Sequence, residues 1–246
     1  MLSNLARLTR RHLRARVHGV NFVGMSRTRL PDRLVFGGQA AGFAAPDEAL
    51  LVADFANVVL DDDYGLRGMR SHPATIVDVG ANVGFFSKFA RHCFPDALIH
   101  SYEPSPATAA YARSNIQHPL TTLFVEGVAA QSGRAEMAEF GSSNLARTVA
   151  GDAGAIVLTS FASVLERIGG RIDLLKVDCE GAEWDFMRDE ELFAHVGAIR
   201  MEYHLVDGRT LDDVQGLAAS IGFAATHIVA NDGFGIAWLD PIAGAS

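Results

Sequence analysis

The sequence predicts an α/β fold with a mostly parallel, doubly wound sheet, and three observations lead to this prediction. From Thr75 onward, apolar runs alternate with amphipathic stretches, as in strands joined by crossover helices. The first run, residues 75–80, ends in a tight glycine-containing turn, as at a nucleotide site. The last two runs are joined only by Asn231-Asp-Gly-Phe234, which is too short for a crossover and predicts an antiparallel hairpin.

The predicted strands lie, in chain order, at residues 75–80, 97–103, 122–128, 172–178, 198–204, 223–230 and 235–239. A helix over residues 82–93 has phenylalanines on one face and is expected to pack against the sheet. Ser160 is the expected N-cap of a helix over 161–168, and Thr210 with Asp213 resembles a capping arrangement for 211–221. Residues 141–159 are small and polar, which predicts a loop over the crevice.

The N-terminal residues 1–33 are predicted to form a helical arm, which carries eight arginines and one acid. The whole chain nevertheless has a net charge of −8. The chain after this basic arm must therefore be strongly acidic. Such an arm binds nucleic acid, a membrane surface or an acidic partner, or it lies solvated on the acidic body. We expect the last arrangement, which is also compatible with a homodimer. We divide the chain into the arm with a connecting segment, 1–64, and an α/β domain, 65–246.

Composition indicates the cellular setting. With 246 residues, 49% of them hydrophobic, the chain has ample material for a core. Its two cysteines, Cys93 and Cys179, show no disulfide or metal-ligand spacing, which favours a reduced compartment. Neither a membrane span nor a secretory signal is apparent in the sequence. We therefore expect a cytoplasmic location.

The loop Gly80-Ala-Asn-Val-Gly84 narrows the choice of cofactor. It lacks the third glycine of nicotinamide and flavin sites and the Gly-Lys-Ser/Thr of a P-loop. Asp78 would repel a pyrophosphate but suits an amino acid with a free ammonium. Glu103, at the end of the next predicted strand, is expected to reach ribose hydroxyls. This pattern is typical of S-adenosylmethionine-dependent methyltransferases; the alternative is a glycine-rich turn of a non-enzymatic α/β protein.

A second group of ionisable residues lies between Ile172 and Glu183. If the strand persists, Lys176, Asp178 and Glu180 alternate along one face. Charged groups in an apolar central strand are costly unless they pair or do chemistry, so an internal ion pair that only positions the strand end is the alternative interpretation. The next predicted strand finishes with Glu202 and His204, which should lie at the same edge of the sheet.

Together, these motifs resemble those of the FkbM family of S-adenosylmethionine-dependent methyltransferases. The resemblance rests on Val77-Asp-Val-Gly-Ala-Asn-Val-Gly84, Tyr102-Glu-Pro104 and Leu175-Lys-Val-Asp-Cys-Glu-Gly-Ala-Glu183, and covers residues 65–240. It implies the Rossmann-like class I methyltransferase fold, with a mostly parallel seven-stranded sheet and an antiparallel last strand. It also implies O-methylation of a small hydroxylated molecule, such as a natural product, sugar or glycolipid. A methyltransferase acting on RNA or protein, and a non-catalytic cofactor-binding homologue, are the alternatives.

These expectations assign roles to particular residues. The expected cofactor-binding residues are Asp78, Gly80, Asn82, Gly84, Glu103 and Asp178, and the expected catalytic residues are His204, Asp178, Lys176 and Glu180. His204 is the natural general base, because its ordinary pKa is about 6.5. Asp178 is the alternative base. His204 can also be interpreted as a hydrogen-bonded histidine at a strand end, without a catalytic role.

The charge of the chain and the motifs that it lacks indicate which substrates and ligands to expect. The acidic body makes a nucleic-acid substrate unexpected, and the Asn/Asp-Pro-Pro-Tyr/Phe motif of many amino-group methyltransferases is absent, which favours an oxygen acceptor. Asp178, Glu202 and His204 offer ligands for a divalent metal. Their spacing is not a metal motif, so we expect no metal.

Overall fold

The computed structural model describes residues 2–21, 30–138, 147–150 and 154–242. In this part of the chain the strands are β1 (Arg33–Phe36), β2 (Gln39–Gly42), β3 (Thr75–Val79), β4 (Leu98–Tyr102), β5 (Thr121–Phe124), β6 (Gly127–Ala129), β7 (Gly133–Ala138), β8 (Arg147–Ala150), β9 (Ile156–Ser160), β10 (Leu174–Val177), β11 (Ile199–His204), β12 (Phe223–Ala230) and β13 (Phe234–Pro241). The α-helices are α1 (Leu2–Val17), α2 (Ala49–Asp54), α3 (Phe85–Cys93), α4 (Pro106–Asn115), α5 (Phe161–Arg167), α6 (Glu183–Phe186), α7 (Glu190–Phe193) and α8 (Leu211–Ser220). A π-helix (Phe55–Asp61) follows α2 directly, and 3-10 helices lie at Leu66–Gly68 and Val206–Gly208.

The main sheet confirms the predicted fold class. Within the described residues it has seven strands in the order β12-β13-β11-β10-β3-β4-β5. The strands from β11 to β5 are parallel to their neighbours, whereas β13 is antiparallel to both β11 and β12. The predicted hairpin of the last two strands is therefore present, and the last strand is the antiparallel one.

Two predictions about the region after β4 are wrong. The strand predicted at 122–128 divides into β5 and β6, because the backbone of β6 pairs with β9 and leaves the main sheet. In the described residues β5 stays in the main sheet, and β6 and β9 belong to a second sheet with the order β6-β9-β7-β8. The loop predicted at 141–159 contains β8 and most of β9; Ile156 and Thr159 are buried, so β9 is anchored although its surroundings are polar. Residues 141–146 and 151–153 lie outside the described residues.

The strand predicted at 172–178 is shorter in the structure. After β10 the chain turns, and Glu180 and Gly181 have φ values of 54° and 102°. A left-handed conformation breaks the two-residue alternation of a strand. The expected alternation of Lys176, Asp178 and Glu180 along one strand face therefore does not extend to Glu180.

Both predicted helix caps are confirmed. The Ser160 hydroxyl accepts a hydrogen bond from the Ser163 N–H at 3.2 Å at the start of α5. At the start of α8, the Asp213 carboxylate accepts from the N–H and the hydroxyl of Thr210, at 2.7 and 2.9 Å. These polar side chains satisfy donors that a helix leaves open at its first turn.

The segment before the main sheet, residues 30–74, packs on the outer face of α3. Leu34, Phe43 and Phe55 belong to the same buried cluster as Phe85 and Phe89 of α3. The ring of Phe43 stacks on that of Phe85 with 4.9 Å between centroids. The segment is thus tied to the sheet through α3, and the division of the chain at residue 64 stays a prediction.

Among the helices of the described residues, none combines the length and hydrophobicity needed to cross a bilayer. The cytoplasmic location and the homodimer stay predictions from the sequence.

Replacement of Gly80 tests how closely the loop after β3 approaches β10. Gly80 has a φ of 75°, and an added Cβ would overlap the backbone carbonyl oxygen of Asp178. We expect Gly80→Ala to lower the free energy of unfolding by more than about 3 kcal/mol, because strain and overlap act together. Urea denaturation measures this loss.

Gly170→Ala is the matched control. Gly170 has a φ of 83° and nothing within 4 Å of an added Cβ, so only the conformational cost of about 1–2 kcal/mol applies. Equal losses in the two variants would contradict the close approach.

Candidate active site

A cavity of about 400 Å³ lies where the parallel strands β3, β4, β10 and β11 end. In open α/β sheets the carboxyl ends of the strands form the crevice that holds ligands. Here the segment before the main sheet closes the crevice from one side. The polar lining of the cavity includes Asp54, Asn57, Tyr64, Gly80, Asn82, Glu103, Lys176, Asp178, Glu180, Glu202 and His204.

The loop between β3 and α3 is held against the end of β4. The N–H groups of Gly80 and Ala81 both donate to the carbonyl oxygen of Tyr102, at 3.0 and 2.9 Å. Gly80, Asn82 and Gly84 have left-handed φ values of 75°, 48° and 93°, which glycine adopts at little cost. The glycines at both ends of the loop thus permit the tight turn that the sequence predicts.

Glu103 joins this loop to the start of α4. Its Oε2 accepts a hydrogen bond from the Asn82 N–H and its Oε1 accepts one from the Ser105 N–H, both at 2.9 Å. Burial raises the pKa of Glu103 to about 7, against the effect of these two hydrogen bonds. Each carboxylate oxygen has a second lone pair, so Glu103 can also accept hydrogen bonds from the hydroxyls of a ligand.

Lys176 is a buried ammonium between two carboxylates. Its Nζ lies 3.3 Å from Asp78 Oδ1 and 3.2 Å from Asp178 Oδ2. It also donates to the carbonyl oxygens of Gly80 at 2.6 Å and Val79 at 3.2 Å. Burial acts to lower the pKa of Lys176, but the two carboxylates outweigh it and raise that pKa. The internal ion pair considered for this cluster is therefore present.

His204 has a carboxylate against each ring nitrogen. Nδ1 lies 3.3 Å from Glu183 Oε1, and Nε2 lies 3.2 Å from Glu180 Oε2 and 3.8 Å from Glu202 Oε1. Glu183 is fully buried and also accepts from the backbone N–H groups of His204 at 2.9 Å and Gly181 at 2.8 Å. Glu183 holds the imidazole by Nδ1, and Nε2 faces the carboxylates that line the cavity.

Burial and neighbouring charges shift the pKa values of this cluster. Burial acts to lower the pKa of His204, but the hydrogen bond to Glu183 and the surrounding carboxylates raise it to about 9. Burial raises the pKa of Glu180 to about 7, although His204 opposes it. Burial and the charge of Asp178 raise the pKa of Glu202 well above its ordinary value. The His204 imidazolium is thus the counter-charge of the acidic cluster at neutral pH.

Three of these side chains also converge in the manner of metal ligands. Among the described residues, Asp178, Glu180 and His204 each offer a ligand atom, and these atoms lie within 4.8 Å of one another. The sequence had suggested Glu202 in place of Glu180. Glu180 contacts Nε2 of His204 and Lys176 contacts Asp178, so a metal would have to replace the proton on Nε2 and compete with Lys176 for Asp178.

The segment before the sheet supplies a wall of the cavity. Asp54, Asn57 and Val58, from α2 and the π-helix, are part of the lining. Tyr64 follows, and its hydroxyl donates to Asp178 Oδ2 at 3.5 Å. This wall is not predicted from the sequence, because a mixed apolar stretch without a motif carries no signal of which surface it faces.

Most of the predicted site residues meet at this cavity. Its described lining includes all four expected catalytic residues and, of the expected cofactor residues, Gly80, Asn82, Glu103 and Asp178. Asp78 and Gly84 are not part of that lining. Asp78 is fully buried, and its Oδ2 accepts from the Ser87 hydroxyl at 2.6 Å. The sequence does not predict the role of Glu183, the partner of His204, because nothing in the motif separates it from Asp178 and Glu180, which line the cavity.

Solved structures with a similar fold are distant. A putative RNA methyltransferase from Pyrococcus horikoshii is 13% identical and aligns over 82% of this chain and 93% of its own, with a TM-score of 0.48. A precorrin-6y C5,15-methyltransferase from Geobacter metallireducens is 13% identical and aligns over 80% and 93%, with a TM-score of 0.47. Likeness at this level does not bear on function.

Two methyltransferases share a short region of similar sequence with this chain. The 31-O-demethyl-FK506 methyltransferase FkbM of Streptomyces tacrolimicus is 36% identical over 62 residues, which are 25% of this chain and 24% of that protein. The methyltransferase sdnD of Sordaria araneosa is 36% identical over 52 residues, which are 21% and 20% of the two chains. The chain thus matches no more than a quarter of the length of either relative.

The family model covers a much larger part of the chain. The methyltransferase FkbM domain matches residues 78–219. This range is more than half of the chain, and it contains every site residue that the sequence predicts. The chain belongs to the FkbM family of S-adenosylmethionine-dependent methyltransferases.

Proposed function

We propose that the chain transfers the methyl group of S-adenosylmethionine to a hydroxyl group of a small molecule, such as a natural product, sugar or glycolipid. The observation that carries the proposal is a single cavity lined by the Gly80 loop and Glu103 at one side and by the His204 cluster at the other. The first group suits a nucleoside that carries an amino acid, and the second suits removal of a proton.

The donor side is formed by the ends of β3 and β4. S-adenosylmethionine, when bound, supplies an electrophilic methyl group on a sulfonium. Glu103 has free lone pairs for the ribose hydroxyls, and the Gly80 loop has no side chain at the point nearest β10. The carboxylate of Asp178 favours a positive charge beside it. Asp78 contributes through its ion pair with Lys176.

The acceptor side uses His204 as general base. The proton of the hydroxyl moves to Nε2. Glu183 accepts a hydrogen bond from the Nδ1–H, which keeps that proton on Nδ1, and its charge stabilises the resulting imidazolium, as the carboxylate of a catalytic triad does. Alignment of the acceptor oxygen with the methyl carbon contributes roughly 7–11 kcal/mol of the barrier reduction. Asp178 is the alternative base.

The charge of the cavity favours this acceptor class over RNA. Asp54, Asp178, Glu180 and Glu202 line it, and such a surface repels a polyphosphate backbone. A relative named as a 31-O-demethyl-FK506 methyltransferase supports an oxygen acceptor. Binding of S-adenosylmethionine without methyl transfer to any screened compound would instead favour a protein acceptor or a non-catalytic homologue.

Calorimetric titration with S-adenosylmethionine and S-adenosylhomocysteine tests the donor site. We expect both to bind the wild-type chain, and Glu103→Ala to weaken binding about 10- to 100-fold, because a charged hydrogen-bond acceptor for the ribose is lost. Glu166→Ala is the control, because Glu166 is exposed on α5. Absence of binding to the wild-type chain would overturn the proposed cofactor.

The pH profile of methyl transfer tests the base. With an acceptor found by screening compounds in pairs with and without a hydroxyl, kcat is expected to rise about tenfold per pH unit until pH approaches the His204 pKa of about 9, because only neutral His204 takes up a proton. His204→Gln should lose at least about 100-fold of kcat together with this dependence.

His195→Gln is the control for the His204 variant, because His195 is exposed. A flat profile of the wild-type chain between pH 6.5 and about 9, or near wild-type turnover of His204→Gln, would rule out His204 as the base.

Metal independence is expected, because a cation at this place would compete with Lys176 for Asp178 and with the proton of His204 for Nε2. Methyl transfer by the wild-type chain should therefore be unchanged by excess EDTA. Addition of Mg²⁺ or Mn²⁺ after EDTA is the control. Activity that EDTA removes and one of these ions restores would show instead that Asp178, Glu180 and His204 form a metal site.

A further inference from the structure

The π-helix (Phe55–Asp61) is an unusual element in the wall of the cavity. A continuous run of this length is rare, because most π-helical structure is a single turn, which is frequent at functional sites. Asn57 and Val58 line the cavity, while Phe55, Val59 and Leu60 are buried. The shape of the wall thus depends on the register of an element that is intrinsically less favourable than an α-helix.

Two arginines of α1 contact side chains of the π-helix. The Arg11 Nε donates to Asp61 Oδ2 at 2.9 Å, and its Nη2 donates to Asn57 Oδ1 at 2.8 Å. The Arg7 Nε donates to the same Asp61 oxygen at 2.7 Å. Burial acts to raise the pKa of Asp61, but Arg11 and Arg7 outweigh it and lower that pKa. Asp61 is therefore an ionised partner of both arginines.

Two further arginines contact the backbone at the carboxyl end of the π-helix. Arg14, also from α1, donates to the carbonyl oxygen of Leu60. The Arg67 Nη2 donates to the carbonyl oxygen of Val59 at 2.8 Å. The last carbonyls of a helix lack partners within it and carry partial negative charge. The arginines supply both the missing hydrogen bonds and the opposite charge.

The basic face of α1 is therefore directed at the wall of the cavity. Arg10 and Arg16, by contrast, are exposed on the same helix. The contacts of Arg11 also determine what Asn57 offers to a ligand. An Asn side chain has one carbonyl oxygen and two N–H donors. In Asn57 the oxygen accepts a hydrogen bond from Arg11.

We propose that α1 is an arginine clamp for the π-helical wall, and that Arg11 is the positioning residue that holds Asn57 in the acceptor part of the cavity. Asn57 then directs its side-chain N–H groups at the ligand. The clamp therefore selects substrates that place a hydroxyl, ether or carbonyl oxygen at this wall. Only the assignment of this wall to the acceptor rests on the proposed function.

Hydrogen exchange of the full-length chain, measured by mass spectrometry without any ligand, tests the clamp. In Arg11→Gln, amides of residues 55–63 should exchange about tenfold faster than in the wild type, because charge-assisted hydrogen bonds to Asp61 and Asn57 are lost. Exchange in β3 and β10 should be unchanged. Arg16→Gln removes a charge from the exposed face of the same helix and should match the wild type throughout.

Two further variants separate the clamp from a general loss of stability. Arg11→Lys retains the charge toward Asp61, but its ammonium lacks the planar fork that reaches both partners, so its exchange should be intermediate. Asp61→Asn weakens the same contacts from the π-helix, and it replaces Arg11→Gln if that variant does not fold. Equal exchange in Arg11→Gln and Arg16→Gln, or faster exchange spread over the main sheet, would overturn the proposal.

Binding and kinetics then assign the clamp to the acceptor. S-adenosylhomocysteine should bind Arg11→Gln with the affinity of the wild type, since the glycine loop and Glu103 make none of these contacts. With an acceptor in hand, KM for the acceptor should rise about tenfold while kcat changes less. A loss of donor affinity with an unchanged acceptor KM would overturn the assignment of this wall. The exchange result stands apart from the donor titration, so the clamp and the proposed function fail separately.

Discussion

The cavity depends on one buried cation, Lys176, which lies between carboxylates at adjacent strand ends. An ammonium out of water is tolerated only when charge and hydrogen bonds compensate for lost hydration. Asp78 on β3 and Asp178 after β10 supply the charge at 3.3 and 3.2 Å, and the Gly80 carbonyl accepts a hydrogen bond at 2.6 Å. These contacts join two strands and the glycine loop into one unit. Loss of Lys176 would leave the fully buried carboxylate of Asp78 without a counter-charge, which costs about 3–5 kcal/mol.

With Lys176 engaged in this way, His204 is left to balance the remaining acids of the cavity. Its nitrogens contact Glu183 and Glu180 at 3.3 and 3.2 Å. Against the effect of burial, the hydrogen bond to Glu183 and the surrounding carboxylates raise the pKa of His204 to about 9, while burial raises the pKa of Glu180 to about 7. Because the groups interact, their protons belong to the cluster as a whole. A cavity of this kind favours a cationic ligand and repels a polyanion, which agrees with a sulfonium donor and an uncharged acceptor.

The charge of the N-terminal segment predicts only part of its role in the structure. Eight arginines in residues 1–33 against an acidic remainder predict an arm that lies on the body. Charge alone does not distinguish a solvated arm from a clamp, because that difference depends on which face of α1 meets Asp61 and Asn57. The partner surface is a π-helix, an element too rare to be predicted from a sequence pattern. Such a contact depends on how α1 packs on the π-helix and how the π-helix packs on α3.

The sequence by itself determined the main sheet, its antiparallel last strand and the identity of the acids at the strand ends, because each is encoded in a local pattern: apolar runs, glycine turns and a short hairpin connection. Only the tertiary structure decided that β6 leaves the main sheet to pair with β9, that Asp78 lies behind Lys176 instead of lining the cavity, and that Glu183 holds His204. These outcomes depend on contacts between segments distant in the chain, such as the hydrogen bond from the His204 N–H to Glu183. No periodicity within a single segment specifies its partner, because pairing and burial are properties of two surfaces brought together by folding.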